Sequence, residues 1–193
     1  MIDAAKIIWC LGVIAWFVIR YPYARRSKRI PARHAANRSL EIVLLSISAT
    51  GLGVIPAVYA ATGLPAVADH PLHAWQIVAG GLTFLASLFL FRQTHAALGR
   101  NWSVTLEVRE NHALITDGIY RYVRHPMYAA FWLWAIAQAF LLPNWIAGFS
   151  GIVGFGTLYL FRVRHEEQMM LDAFGSRYAD YAKRTGRIFP KLL

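Results

Sequence analysis

Cysteine and acidic residues are scarce in this sequence, and both shortages narrow the class of protein. Cys10 is the only cysteine, so no disulfide forms within the chain. Asp and Glu number 10 among 193 residues, and all charged residues together make up 16%. The composition is 57% hydrophobic with a mean hydropathy of +0.39, which exceeds what a soluble domain of this length needs. These values exclude an ordinary soluble domain.

The N-terminal segment lacks two features of a cleavable secretory signal. It has no basic region ahead of its apolar stretch, and no small-residue cleavage site follows that stretch. We therefore predict that residues 4–21 form a retained first membrane helix. Because no repeat, low-complexity tract or long linker divides the sequence, we expect residues 1–193 to form a single integral membrane domain.

The excess of basic residues is confined to three short segments. All Lys and Arg residues except Lys6 lie within residues 20–38, 92–124 and 162–191, and long apolar runs separate these segments. Cationic loops of a membrane protein stay on the cytoplasmic side. The net charge of +10 therefore indicates one face of a membrane protein, and we predict no nucleic-acid partner.

Five apolar stretches meet or approach the roughly 20 residues that a membrane-crossing helix needs, namely residues 4–21, 40–61, 74–91, 128–142 and 145–161. The last two are short, and Pro143-Asn144 between them predicts a tight helical hairpin. Neither that turn nor the loop at residues 62–72 carries Lys or Arg, so both are expected outside. The N-terminus is then outside, while the basic loops and the C-terminus are cytoplasmic.

Two polar segments differ from the predicted spans. From Arg164 onward, apolar residues recur at helical spacing and Gly186 is a suitable helix stop; they are Leu171, Phe174, Tyr178 and Tyr181. We predict a cytoplasmic amphipathic C-terminal helix that continues the fifth span. Residues 103–108 alternate apolar and polar side chains, and a turn at residues 110–112 toward Leu114 and Ile115 would make a short hairpin. The predicted fold is an all-α membrane protein with about five transmembrane helices.

The most specific string in the sequence is Arg124-His125-Pro126-Met127-Tyr128. Pro126 fixes its own φ and suits the first turn of the fourth span. A helix N-terminus offers free N–H groups and a positive dipole, which suit a ligand carboxylate. On physical grounds alone, an anchoring role for Arg124 and His125 at the lipid headgroups is equally compatible with this string.

Two further groups of polar residues lie at the ends of predicted spans. Glu166 and Glu167 are adjacent carboxylates where charge near hydrocarbon is costly, which indicates a function with cationic partners. The alternative is that both lie on a solvated first turn of the tail helix. Asn101 and Trp102 follow the third span, and Trp102 taken alone suits the aromatic belt of the membrane surface.

The seven histidines do not have the spacing of a metal site. His70 and His73 are three residues apart on a predicted outer loop and have no third ligand nearby in the sequence. The cytoplasmic histidines form no His-x-x-x-His set of the kind that membrane di-iron enzymes use. We predict no metal.

Five residues inside the spans have structural interpretations. Gly51, Gly53, Gly80 and Gly81 are expected at positions where helices pack closely. Glu41, at the start of the second span, is expected to snorkel or to cap its helix, and a role in substrate access is the alternative.

Three strings, taken in order, resemble the isoprenylcysteine carboxyl methyltransferases and the related phospholipid methyltransferases. They are Leu98-Gly99-Arg100-Asn101-Trp102-Ser103, then Gly118-Ile119-Tyr120-Arg121-Tyr122-Val123-Arg124-His125-Pro126-Met127-Tyr128, then Glu166-Glu167 with Phe174-Gly175-x-x-Tyr178-x-x-Tyr181. The resemblance covers roughly residues 95–190. It implies that S-adenosylmethionine binds between two cytoplasmic segments and that a lipid or prenylated acceptor enters from the bilayer.

The resemblance also implies a role for individual residues. Those expected to bind the cofactor are Asn101, Trp102, Tyr120, Arg124, His125, Pro126, Tyr128, Glu166 and Glu167. Arg184 and Glu167 are the expected catalytic residues, because Tyr181-x-x-Arg184 resembles the stretch that holds the acceptor carboxylate. Arg187 is the nearest substitute, and this stretch lacks the proline of the eukaryotic pattern. Residues 1–91 then carry the first three spans, and residues 92–193 form the cofactor-binding catalytic part.

The predicted activity is carboxyl O-methylation of a lipidic acceptor, a direct displacement that needs alignment and exclusion of water. Phospholipid N-methylation is the first alternative, and it would require a base to deprotonate an amine. NADPH-dependent membrane sterol reductases resemble the same C-terminal architecture. Met127, where those reductases are expected to have Asn, and the paired Glu residues favour a methyltransferase. A non-enzymatic membrane scaffold is the remaining interpretation.

Overall fold

The apolar runs of the sequence form long helices packed side by side. The computed structural model describes residues 1–27, 38–99 and 114–191, and within these ranges it contains helices and no multi-residue strand. In chain order the helices are α1 (Ile2–Ser27), α2 (Arg38–Ala49), a π-helical turn (Thr50–Val54), α3 (Ile55–Thr62), a 3-10 turn (Ala66–Ala68), α4 (Ala74–Leu98), a second 3-10 turn (Gly118–Arg121), α5 (Pro126–Leu141), α6 (Trp145–Phe174) and α7 (Ser176–Arg184). The predicted hairpin at residues 103–115 lies almost entirely outside the described residues.

Four helical stretches are long and apolar enough to cross a membrane. They are Ile2–Arg25, Ser39–Thr62, Ala74–Leu98 and Trp145–Phe174, and α5 is a shorter apolar helix of 16 residues. Helices are the expected form because every backbone polar group in lipid needs a partner within the protein. The predicted all-α membrane fold with about five spans is confirmed.

The second span contains a π-helical turn at Thr50–Val54 that touches α6 directly. A Cβ atom on Gly51 would lie 2.2 Å from the carbonyl oxygen of Ser150, so only glycine allows the two backbones this close. The Gly51 carbonyl accepts hydrogen bonds from Gln138 Nε2 at 3.1 Å and Ser150 Oγ at 2.7 Å. Side chains of α5 and α6 therefore satisfy the backbone where the helix changes its register.

The four glycines that were predicted at helix contacts differ in their surroundings. Gly51 and Gly80 are at close contacts, and a Cβ atom on Gly80 would lie 2.7 Å from Cγ of Leu141. The prediction was wrong for Gly53 and Gly81. A Cβ on Gly53 would meet no described atom within 4 Å, and on Gly81 the nearest would be Ile8 Cγ2 at 3.9 Å. Gly53 therefore lies on a side of its helix that faces open space, and Gly81 lies on a side that makes only a loose contact.

At one end of the bundle, the loop after α3 meets the turn between α5 and α6. Asn144 Nδ2 donates to the Pro65 carbonyl at 2.8 Å and to Asp69 Oδ1 at 2.7 Å. The His70 N–H donates to the Pro143 carbonyl at 3.0 Å. Asn144 also caps α6 through its Oδ1 atom. The predicted hairpin turn is confirmed, and the two loops without Lys or Arg lie at the same end.

At the opposite end, the helix of the fifth span continues past Arg164, as predicted, but a break at Gly175 divides it from the amphipathic helix. The helix runs past Arg164 without a break and ends at Gly175, whose φ of 56° is in the left-handed region that favours glycine. α7 then buries Tyr178 and Tyr181 and exposes its basic side chains. The predicted amphipathic C-terminal helix is confirmed, with its start at Ser176.

Aromatic side chains join α1, α4 and α5 in the interior. Trp16 lies 5.2 Å from Trp134 and 5.5 Å from Phe91, measured between ring centroids. Phe84 lies 5.5 Å from Trp134, and Phe131 lies 5.8 Å from Phe91. Large buried rings supply much of the contact area in such a core. They hold α5 in place, and the N-terminus of α5 carries the most specific sequence string.

Candidate functional site

Helix α5 begins within the Arg-His-Pro-Met-Tyr string. Pro126 occupies the first helical position, as predicted, because its missing N–H would have no partner there in any case. His125 precedes the helix and is 6% exposed, and Tyr128 lies in the first turn and is 7% exposed. The two rings stack with centroids 5.3 Å apart. The proline thus fixes where both side chains enter the site.

The C-terminal tail pairs with this string through its backbone. The N–H of Arg124 donates to the carbonyl of Gly186, and the N–H of His125 donates to the carbonyl of Arg187, each at 2.8 Å. Val123 and Gly186 form a single parallel bridge. A Cβ atom on Gly186 would lie 1.7 Å from a backbone carbonyl oxygen of the tail, so the turn there requires glycine. This pairing brings Arg187 next to His125.

Glu167 is the centre of an ionic cluster. Its Oε1 atom accepts from Arg124 Nε at 3.1 Å and Nη2 at 2.9 Å, and it lies 3.4 Å from His125 Nε2. Arg187 donates from Nε to Oε1 and Oε2 at 3.2 and 3.0 Å, and from Nη2 to Oε2 at 2.7 Å. Hydrogen bonding to Glu167 raises the pKa of Arg187. Both carboxylate oxygens are therefore engaged by cationic donors.

Arg124 connects this cluster to α7. Its Nη1 group donates to the Ala182 carbonyl at 3.0 Å and to the Thr185 carbonyl, while Nε and Nη2 donate to Glu167. Four of the five N–H donors of a guanidinium are thus used within the protein. The Arg124 side chain is 10% exposed. Its contacts tie α6, α7 and the tail together.

Glu166 differs from Glu167 in its partners and exposure. Tyr128 donates its hydroxyl to Glu166 Oε2, and His125 Nδ1 lies 3.8 Å from Oε1. The Glu166 side chain is 32% exposed, against 14% for Glu167. Of the two adjacent carboxylates, Glu166 is therefore the one with surface left for a cationic ligand group.

Tyr120 joins the site mainly through its backbone. Its carbonyl accepts a hydrogen bond from the Tyr181 hydroxyl at 2.6 Å, which fastens the second 3-10 turn to α7. Burial, followed by the negative charge of Glu166, raises the pKa of the Tyr120 hydroxyl. Its side chain therefore lies within electrostatic range of the exposed carboxylate.

An ion pair that the sequence analysis missed lies deeper in the bundle. Arg162 Nη2 is 3.2 Å from Glu41 Oε1, and the two side chains are 12% and 6% exposed. The expectation that Glu41 snorkels was wrong, because its carboxylate is buried and pairs across to α6. Arg162 lies one helical turn before Glu166, so a cation of α6 precedes the carboxylates of the site.

The structure brings together most of the described residues that were predicted to bind the cofactor. The ionic cluster and its immediate neighbours consist of Arg124, His125, Tyr128, Glu166 and Glu167, with Pro126 and Tyr120 beside them. Arg184 lies apart: it is exposed, and its Nε donates to the Asp180 carbonyl of its own helix at 3.3 Å. Asn101 and Trp102 lie outside the described residues. Among residues 1–27, 38–99 and 114–191, no three His, Cys, Asp or Glu side chains are grouped as a metal site.

Two residues of this region received too little weight in the sequence analysis. Arg187 was considered only as a substitute for Arg184, because nothing in a sequence reveals the backbone pairing of the tail. The Phe-Gly-x-x-Tyr-x-x-Tyr pattern predicted no role for Tyr178. Its spacing of three from Tyr181 was the available signal, since it puts both rings on one face of α7.

The fold and the site together define a multi-pass helical membrane protein with a charged cluster at one end of the bundle. Residues 79–172 match the sequence model described as the isoprenylcysteine carboxyl methyltransferase family. This segment of the chain is similar to that family, and the resemblance predicted from the sequence is confirmed.

Individual relatives agree with this assignment. Protein-S-isoprenylcysteine O-methyltransferase B of Arabidopsis thaliana is 31% identical over 113 residues, which are 57% of this chain and 57% of that protein. The human protein-S-isoprenylcysteine O-methyltransferase is 31% identical over 121 residues, which are 61% of this chain and 43% of that protein. This chain thus spans less than two thirds of the length of the relatives it matches.

A solved structure supports the fold. The eukaryotic intramembrane Ras methyltransferase, an isoprenylcysteine carboxyl methyltransferase, superimposes with a TM-score of 0.55 and 23% identity. The match covers 80% of this chain and 53% of that chain. At this level of identity the similarity concerns the arrangement of the helices.

Proposed function

We propose that the protein is an integral membrane enzyme that transfers a methyl group from S-adenosylmethionine to the carboxylate of an S-isoprenylcysteine acceptor. One observation carries the proposal: the cluster around Glu167 joins in space the strings around Arg124 and Glu166, which are far apart in the sequence. The cluster lies in and beside the segment that matches the family. The relatives named above are O-methyltransferases of isoprenylcysteine, which supports the same activity.

The residues of the cluster suit S-adenosylmethionine, which carries a sulfonium, an ammonium and a carboxylate. Glu166 has a partly exposed carboxylate for a cationic group. The N-terminus of α5 beside His125 has backbone N–H groups and a dipole that suit a carboxylate. Glu167 has both oxygens engaged, so we assign it the role of positioning His125 and Arg187. When bound, the cofactor supplies an electrophilic methyl group.

The acceptor needs orientation more than activation. A carboxylate is already ionised and nucleophilic at neutral pH, so no general base is required. We propose that a guanidinium of the tail binds it. Arg187 is favoured over Arg184, because Glu167 holds Arg187 through Nε and Nη2 while 49% of the Arg187 side chain stays exposed. A planar guanidinium can engage two carboxylates at once, each on a different edge.

Aromatic surface adjoins the charged cluster on α5 and α6. The Tyr128 ring lies 5.5 Å from Tyr159, and Trp132 lies 5.4 Å from Phe155 and 5.9 Å from Tyr159 between centroids. An isoprenoid chain is an apolar ligand that gains free energy by leaving water for such a surface. The juxtaposition of aromatic and charged surfaces favours an acceptor with a lipid tail and a carboxylate head.

The decisive experiment is a methylation assay with purified protein in lipid vesicles and S-adenosylmethionine labelled in its methyl group. A small prenylcysteine with a free carboxylate is the test acceptor, and the same compound as a methyl ester is the matched control. Label that alkali releases as methanol is expected only with the free acid. Alkali-stable label in phosphatidylethanolamine would instead establish phospholipid N-methylation. Absence of transfer to either acceptor would refute the methyltransferase proposal.

Two arginine variants test the orientation of the acceptor. Lysine retains the charge but cannot reproduce the fork of a guanidinium. Loss of a hydrogen bond to a charged group costs about 1.5–3 kcal/mol, so Arg187→Lys is expected to lower kcat/KM by about ten- to a hundred-fold. Its affinity for S-adenosylhomocysteine should change little, and Arg184→Lys should be nearly silent. The opposite ranking would assign the role to Arg184, and two silent variants would contradict guanidinium binding.

A further inference from the structure

Tyr178 presents a buried hydroxyl group whose bonding is incomplete. Its side chain lies on the inner face of α7 and only 3% of the residue is exposed. The Oη atom is inaccessible to solvent and has no hydrogen-bond partner among the residues that the structure describes. Tyr181, one turn later on the same helix and 5% exposed, donates its hydroxyl to the Tyr120 carbonyl. The two neighbouring tyrosines therefore differ in whether a described residue accepts a hydrogen bond from the hydroxyl.

The Tyr178 hydroxyl lies within the electric field of the ionic cluster. The charges of Glu167, Arg124 and Glu166 all act on it, and Tyr178 in turn acts on Arg187. Burial, followed by the charge of Glu167, raises the pKa of Tyr178 to about 12. The group is therefore a neutral O–H donor throughout the physiological pH range.

A buried hydroxyl without an acceptor destabilises a protein, because it has lost its bonds to water. Phenylalanine would fill the same space on α7 without that cost. No residue that the structure describes offsets this cost, and an acceptor atom on a bound ligand would account for the hydroxyl. The charges of Glu167, Arg124 and Glu166 reach Tyr178, which indicates that the acceptor belongs to the ligand of the same site.

We propose that Tyr178 is a ligand-binding residue whose hydroxyl donates a hydrogen bond to an oxygen or nitrogen atom of the bound S-adenosyl ligand. This inference rests on the proposed function, since it takes the cluster to be a cofactor site. It assigns to α7 a direct part in binding, in addition to its part in holding the tail. It also explains why Tyr181 has an acceptor among the described residues and Tyr178 does not.

The test compares Tyr178→Phe with Tyr181→Phe, which removes a hydroxyl of the same kind from the same face of α7. Thermal unfolding of each purified variant is measured without ligand, and its affinity for S-adenosylhomocysteine is measured by calorimetry. Tyr178→Phe is expected to unfold at or above the wild-type temperature and to bind the ligand about three- to ten-fold more weakly. Tyr181→Phe is expected to unfold at a lower temperature and to bind with nearly wild-type affinity.

Each other outcome has a separate meaning. If Tyr178→Phe binds as tightly as the wild type, the inference is wrong and the proposed function stands. If Tyr178→Phe unfolds at a lower temperature in the way expected for Tyr181→Phe, the hydroxyl has its acceptor within the protein and the inference is wrong. If the wild type itself does not bind S-adenosylhomocysteine, the proposed function fails, and the inference fails with it.

Discussion

Replacing Glu167 with glutamine is expected to destabilise the protein far more than the same change at Glu166. The amide has nearly the shape of the carboxylate but no charge. In the native cluster, Glu167 neutralises Arg124, whose side chain is 10% exposed, and Arg187, whose side chain is 49% exposed. The substitution therefore leaves one largely buried cation without its carboxylate.

The magnitude follows from the exposure of the two arginines. Removing one partner of a buried pair costs about 3–5 kcal/mol, whereas an exposed pair contributes about 0–1 kcal/mol. Arg124 retains its bonds to the carbonyls of Ala182 and Thr185, so the lower end, about 3 kcal/mol, is expected. For a chain of this length that corresponds to a decrease in Tm of about 6–12 °C.

The measurement is thermal unfolding of ligand-free protein in detergent, followed by circular dichroism, for the wild type, Glu167→Gln and Glu166→Gln. Glu166 accepts its bond from Tyr128 and is 32% exposed, so its variant should lose only about 1 kcal/mol. A Glu167→Gln protein that unfolds at the wild-type temperature would refute the reasoning. So would a larger loss for Glu166→Gln, because the ranking rests on which carboxylate neutralises a buried cation.

Two further predictions concern the membrane-embedded part. Reporter fusions after Leu72 and at the C-terminus should report opposite sides of the membrane, because basic segments stay cytoplasmic; the same side for both would contradict five spans. Glu41→Gln should lower thermal stability by about 3 kcal/mol, because it leaves Arg162 charged without its carboxylate. The double variant Glu41→Gln with Arg162→Met should recover part of that loss in the same unfolding measurement. A loss equal to the sum of the two single-variant losses would show that the pair is not coupled.

The spans could be predicted from the sequence because bilayer thickness and backbone bonding leave few alternatives to an apolar helix. The residue at which α6 ends could not be predicted from the sequence. Hydropathy falls at Arg162, yet the helix continues to Phe174 because Arg162 finds Glu41 and the following carboxylates find Tyr128, Arg124 and Arg187. Tertiary contacts decide where that helix ends, and hydropathy does not register them.

The sequence predicted which segments form the site, but it did not predict how their side chains are arranged. The strings around Arg124 and Glu166 could be expected to meet, and they do. The choice between Arg184 and Arg187 could not be made, because it depends on Gly186 pairing with the backbone of Arg124. In the same way, the rotation of each helix about its axis decides whether Gly53 and Gly81 face a neighbouring helix. Their positions in the sequence do not reveal that rotation.

The pairing of the tail with the Arg124 segment has a consequence for biosynthesis. Chains are made from the N-terminus onward, and each helix can enter the membrane as it emerges. The segment around His125 is therefore in place while the residues around Arg187 have yet to be translated, and until then Glu167 has one arginine partner rather than two. The Glu167 cluster would thus remain incomplete during insertion of the chain and form only when the tail folds back, which couples formation of the cluster to synthesis of this part of the chain.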